Sequence, residues 1–173
     1  MGDKVKALFE FGFDLPDEGY YVMKVEDVEV VGADNGGLTY KVTSAVDGGA
    51  FDGQKHWENF STKTKKHFGI RKMLGFLVKS GKMKGDAELD TDMVESESFK
   101  KEFPKMVRGA RYGAYLSHRE WEDKEGKTKT STQSDKYMTV EEVREKWGEA
   151  GKEQPTLVKE TVEAPVKSPS IWK

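Results

Sequence analysis

The run Gly19-Tyr20-Tyr21-Val22-Met23-Lys24-Val25-Glu26-Asp27-Val28-Glu29-Val30-Val31 decides the fold. Tyr21, Met23 and Val25 recur at every second position, as on a β-strand with one buried face. Val28 and Val30 continue the alternation in the opposite phase. A strand whose side chains alternate with period two changes phase only where a residue is added. The run therefore predicts a long strand with a bulge or sharp bend near Glu26–Asp27.

Downstream, the turn-rich run 32–37 leads into a second alternating strand, 38–46. Leu38, Tyr40, Val42 and Val46 share one face, and Thr39, Lys41 and Thr43 the other. Asp47-Gly48-Gly49 turns the chain, and a third strand is expected near 54–60. The period then lengthens. Phe68, Ile70, Met73, Leu74, Leu77 and Val78 recur at threes and fours, predicting a helix from a Ser61 or Thr62 cap to about Ser80. The acidic stretch 85–97 reads as a solvated loop. Phe99, Phe103, Met106 and Val107 restart apolar content around Pro104. A fourth strand, 111–121, and a Thr-rich fifth, 127–137, flank the hairpin turn Asp123-Lys124-Glu125-Gly126. Thr139-Val140-Glu141-Glu142 is a capping box opening a short helix to Trp147.

The order strand, strand, strand, helix, strand, strand is that of the OB-fold. The expected class is mostly β: a five-stranded OB-fold-like barrel with a helix between strands 3 and 4, a short C-terminal helix and a flexible tail. A different small barrel or an α+β sandwich gives the same string. Residues 1–18 read as an arm whose phenylalanines pack on the barrel or on a second subunit, leaving a homodimer open. Residues 19–148 are the domain and 149–173 the tail, with three prolines and few apolar residues.

Composition narrows the function. The chain has 173 residues, room for one core, and no Cys, which removes disulfides, thiolate metal sites and a cysteine nucleophile. No long apolar run suggests a membrane helix, and MGDKVKALFE has no apolar core of a secretory leader, so a cytoplasmic protein is expected. Net charge is −2, but residues 51–85 carry 9 Lys/Arg against 2 Asp/Glu, and 100–119 carry 6 against 1. Folded onto one face, those blocks make a positive stripe on an acidic chain.

The run 19–29, the segment Phe51-Asp52-Gly53-Gln54-Lys55-His56-Trp57-Glu58-Asn59-Phe60, and the stretch Gly69 to Gly81 with Leu74 and Leu77 together resemble phage proteins linked to single-stranded DNA binding and recombination. The resemblance covers roughly residues 19–137. It implies an OB-like fold and a role in coating single strands during phage replication or recombination. Many such proteins carry an acidic tail ending in an aromatic residue. This tail is about neutral and ends Ile171-Trp172-Lys173, so an acidic docking tail is not matched, although Trp172 remains a docking residue for a replication or recombination protein.

Single-strand binding needs cations along a groove and aromatic faces for stacking. The outward face of the fourth strand, Arg111, Tyr115, Arg119 and Trp121, alternates both. Lys41 joins from the second strand, and Lys55 and Trp57 from the third, although Trp57 equally suits a core. Lys63, Lys65 and Lys66 crowd a helix start, where cations sit badly without an anionic partner. Arg71 and Lys72 extend that block, and Lys127 and Lys129 belong to the fourth-to-fifth-strand loop. Asp86, Glu88, Asp90 and Asp92 lack the glycine and terminal glutamate of a calcium loop. His56, His67 and His118 lack zinc spacing and read as surface or strand residues. No metal, no cofactor and no catalytic residue is expected. The expected partner is single-stranded DNA. The alternative is a protein-interaction module, a phage regulator or inhibitor, without DNA affinity.

Overall fold

The computed structural model describes residues 15–149; the expected phenylalanine cluster of the arm and the expected tail lie outside the described residues. Five strands form one antiparallel sheet: β1 (Gly19–Gly32), β2 (Leu38–Val46), β3 (Lys55–Ser61), β4 (Arg111–Glu122) and β5 (Thr128–Met138), in the order β3-β2-β1-β4-β5. Three helices accompany them: α1 (Phe68–Lys79), α2 (Glu97–Val107) and α3 (Val140–Glu149). None is long and apolar enough to cross a membrane.

The bend predicted in β1 is a bulge. Val25 pairs with Ser44 and Asp27 with Thr43, leaving Glu26 out of register. Before it, Tyr21, Met23 and Val25 enter the core. After it, Val28 and Val30 take over that role. The bulge lets one strand pair with β4 through its first half and with β2 through its second.

The expected barrel is not closed by backbone pairing. β3 and β5 are the two sheet edges, and only side chains join them. His56 Nδ1 lies 2.6 Å from Thr132 Oγ1 and its Nε2 lies 3.0 Å from Ser134 Oγ. Glu58 accepts the hydroxyls of Ser134 and, at 2.6 Å, Tyr137. The sheet therefore curls until its edges meet at a seam of polar groups.

Two helices fill the inner face. Phe76 of α1 sits between Phe60 at 5.2 Å, Tyr112 at 4.8 Å and Tyr137 at 5.7 Å, centroid to centroid. Losing such a side chain to alanine costs about 3–5 kcal/mol, so this one residue fixes α1 on the sheet. The helix begins later than its predicted cap. Gly69 rests on Ser61, where a Cβ would fall 1.9 Å from the carbonyl oxygen, and the chain needs 61–67 to turn that corner.

A second helix stands where sequence suggested only renewed apolar content. In α2, Ser96 caps the start, accepting the Phe99 N–H at 3.1 Å, and Phe99, Phe103 and Val107 form a buried stripe. Pro104 inside it removes one backbone donor, which ordinarily argues against a helix. Burial of Phe103 against the Tyr40 ring, 5.1 Å away, outweighs that loss.

On the outer face, α3 covers only one corner, packing Val143 on Val22 and Met138. Its predicted capping box is present: Thr139 Oγ1 accepts the Glu142 N–H, and the Glu142 carboxylate accepts the Thr139 N–H. Gly113 makes room for it, since a Cβ there would fall 2.2 Å from Val143 Cγ2.

Candidate nucleic-acid interface

Strand alternation decides what each edge strand shows to solvent. In β3, His56, Glu58 and Phe60 point inward and are fully buried, so Lys55, Trp57 and Asn59 point outward. Trp57 is 58% exposed. Across the ladder it faces Thr43, and Asn59 faces Lys41, which itself faces Glu29 of β1. Lys41 is exposed and forms no ion pair among the described residues. Lys55 pairs with Glu26, the bulge residue.

The same rule orders the β4–β5 hairpin. Thr132 and Ser134 point in toward His56, so Lys129, Ser131 and Gln133 point out. They face Trp121, Arg119 and Ser117 respectively. Trp121 is 41% exposed, and Arg119 is exposed without an ion pair among the described residues. Because His56 bonds to both Thr132 and Ser134, this part of β5 runs alongside Lys55–Trp57. The residues that point to the outer face of the sheet are Lys41, Lys55 and Trp57 on one side of the seam and Arg119, Trp121 and Lys129 on the other. Lys127 closes the hairpin turn, its backbone N–H bound to Asp123, and its side chain is exposed.

The β3–α1 turn adds a third group. Lys63 lies 3.7 Å from Glu95, and its carbonyl accepts Asn35 Nδ2 at 2.8 Å, tying the β1–β2 turn to this one. Lys65, Lys66 and Arg71 are exposed and form no ion pair among the described residues. Phe68, counted from sequence among the helix's apolar positions, is instead 64% exposed.

Three expected residues have partners within the fold. Lys72 bends back over the Phe60 ring, 5.4 Å away, with its ammonium 3.4 Å from the Asn59 carbonyl and 3.9 Å from Glu58. Arg111 binds Asp47 at 2.6 Å. Tyr115 packs edge-on against Tyr20, centroids 4.9 Å apart, and is half-buried near the α3 corner. These three point outward or sit at an edge, but their polar or aromatic groups are engaged within the fold.

The remaining ion pairs on the surface are exposed. Lys55–Glu26, Lys63–Glu95 and Lys129–Asp123 all have solvent-exposed lysines. Pairs of this kind are worth about 0–1 kcal/mol, so a phosphate can take the lysine from the carboxylate.

Behind the surface lies a buried polar cluster that sequence did not show. The Glu58 carboxylate receives His56 Nε2 at 2.7 Å in addition to the two hydroxyls from β5. The Tyr112 hydroxyl lies 2.9 Å from Ser44 and 3.4 Å from Glu58. Burial alone would raise the Glu58 pKa. The charge of His56 and the hydrogen bonds from His56, Ser134 and Tyr137 outweigh it and hold the carboxyl below its usual range. Burial, then the neighbouring Glu58 charge, pushes the Tyr112 and Tyr137 hydroxyls far up. Each member makes at least one hydrogen bond within the cluster, and satisfied networks of this kind rigidify a core. A His and a Glu at alternate positions of a strand were the available signal.

Among the described residues no three His, Asp or Glu side chains are grouped to hold a metal ion. In the acidic stretch, Asp90 Oδ1 accepts the N–H groups of Asp92 and Met93 and so caps a turn. Compared with known proteins, the chain matches no family model and no curated protein.

Proposed function

We propose that this chain is a non-enzymatic, OB-fold-like protein that binds single-stranded DNA largely without sequence preference, in phage replication or recombination. The strand order and the helix between β3 and β4 support the OB-like reading. One observation carries the function: Trp57 and Trp121 stand well exposed on the outer face of the sheet, with the cations Lys41, Lys55, Arg119 and Lys129. Large indoles are normally buried. Their faces stack on any base, each stack worth about 1–3 kcal/mol. The lysines and arginines neutralise phosphates and release counterions, which makes affinity fall steeply with salt.

Fluorescence anisotropy of a labelled oligo-dT, titrated with the full chain at several salt concentrations beside the matching duplex, tests this. Micromolar or tighter single-strand binding that weakens with salt is expected. No binding at low salt would overturn the proposal and leave the protein-interaction module, to be pursued by pull-down.

A further inference from the structure

Phe68 is the most exposed large apolar side chain among the described residues. It serves no packing purpose. The buried stripe of α1 runs through Ile70, Met73, Phe76 and Leu77, and Phe68 lies outside it. The backbone holds it out. Thr64 binds both ends of the turn, accepting the Gly69 N–H on its hydroxyl at 2.7 Å and the His67 N–H on its carbonyl at 3.1 Å. Gly69 is pressed on Ser61, and between these anchors Lys66 and His67 adopt left-handed conformations, with φ of 53° and 56°. Residues with a Cβ rarely take that region.

Along the chain the charge on either side of Phe68 has one sign, although Glu95 reaches Thr62 and Lys63 at the start of the turn. Lys65, Lys66 and Arg71 are exposed, with no carboxylate partner among the described residues, and no Asp or Glu occurs between Asn59 and Lys84. A protruding aromatic ring set among cations matches a nucleobase with its flanking phosphates.

We infer that Phe68 is a further base-stacking platform, which extends the single-strand path from β3 over the start of α1, with Lys65, Lys66 and Arg71 on the phosphates. This rests on the single-strand reading above. Gly69 touches Ser61, four residues along β3 from Trp57, a separation of about 13 Å at the usual strand rise. That is room for about four nucleotides at a stacked step of 3.4 Å.

The test is anisotropy with a long oligo-dT on the full chain, comparing wild type, Phe68→Ala, Phe68→Trp and Trp57→Ala. Phe68→Ala is expected to weaken binding by about fivefold to a hundredfold, the range one lost stack converts to. Its urea midpoint should stay at the wild-type value, because the ring is exposed, and Phe68→Trp should restore affinity. Lys65→Ala with Lys66→Ala should lower the slope of log K against log salt by about 1.4, two phosphates' share on a single strand. Wild-type affinity in Phe68→Ala, with Trp57→Ala weakened, would overturn this platform and leave the β3 surface standing. Absence of binding by the wild type would overturn the single-strand reading itself.

Discussion

Tyr137, on one edge strand of the sheet, donates its hydroxyl to Glu58 on the other edge strand at 2.6 Å. No backbone ladder joins β3 to β5 among the described residues, so this bond and its neighbours hold the two edges together. The carboxylate also draws in His56, Ser134 and Tyr112. A charged group with that many donors is stable where it is and costly to unpair.

Removing one partner from a buried, hydrogen-bonded charge pair costs about 3–5 kcal/mol. Glu58→Ala is expected to lose that much in urea unfolding, and His56→Ala a comparable amount. The double variant should cost clearly less than the sum. Additive losses would show that the two side chains do not act as a pair.

The cluster also sets the pH limits. The Glu58 carboxyl titrates below its usual value of 4.5 in the folded chain. The unfolded chain then binds more protons in that range, so the stabilisation is complete above about pH 4.5 and is lost as pH falls through the folded value. Tyrosines act in the opposite sense. Burial raises Tyr40 to about 12, and raises Tyr21, Tyr112 and Tyr137 further. The folded chain keeps protons that the unfolded chain releases above pH 10, so stability declines as pH rises beyond 10. Urea midpoints measured from pH 3 to 12 should fall at both ends, and tyrosinate absorbance should appear together with unfolding. Early tyrosinate absorbance from an intact fold would contradict the burial of these hydroxyls.

Gly113→Ala places a methyl 2.2 Å from Val143 Cγ2 and 2.9 Å from the Thr139 carbonyl. Overpacking of this kind costs about 1–3 kcal/mol. The loss should fall on α3, whose Trp147 donates its indole N–H to the Tyr20 carbonyl at 3.1 Å. A changed Trp147 environment is the expected readout, isolated in a background with the other tryptophans replaced by phenylalanine.

Arg119 and Arg111 lie on the same face of β4 but differ in their partners. Arg119 has no ion-pair partner among the described residues, and Arg111 is bound to Asp47. Arg119→Ala is expected to lower the salt slope of oligo-dT binding by about 0.7, one phosphate on a single strand. Arg111→Ala should change it by less. Equal effects would mean that Asp47 yields Arg111 to the phosphate.

The features legible in the sequence were those with local causes. The phase change at Glu26–Asp27 is local, and the bulge lies there. The capping box of α3 is local, and Thr139 and Glu142 form it. What escaped depends on distant partners. His56 read as a surface or strand residue because buried polar groups are costly alone, and Glu58 drew no reading. Their partners Thr132, Ser134 and Tyr137 come more than 70 residues later. Once those turn inward, Trp57 must turn outward, which settles its placement and not its role. Helix α2 was hidden by Pro104, whose penalty is local while its compensation, Phe103 on Tyr40, is not. Phe68 fell in step with the helical spacing, but it is the first residue of the helix, after a left-handed turn at Lys66 and His67, and its ring stays exposed.

The seam gives the molecule a clasp. Everywhere else in the sheet, parting two strands means breaking a row of main-chain bonds; between β3 and β5 it means releasing a handful of side chains gathered on one carboxylate. Among the described residues it is the one join of the curled sheet without main-chain bonds, while β4 stays laddered to β1 as far as Leu116 and to β5 along the hairpin. Acid that protonates Glu58 loosens the same join, so the closure of the sheet and its acid sensitivity have a common origin in a single residue.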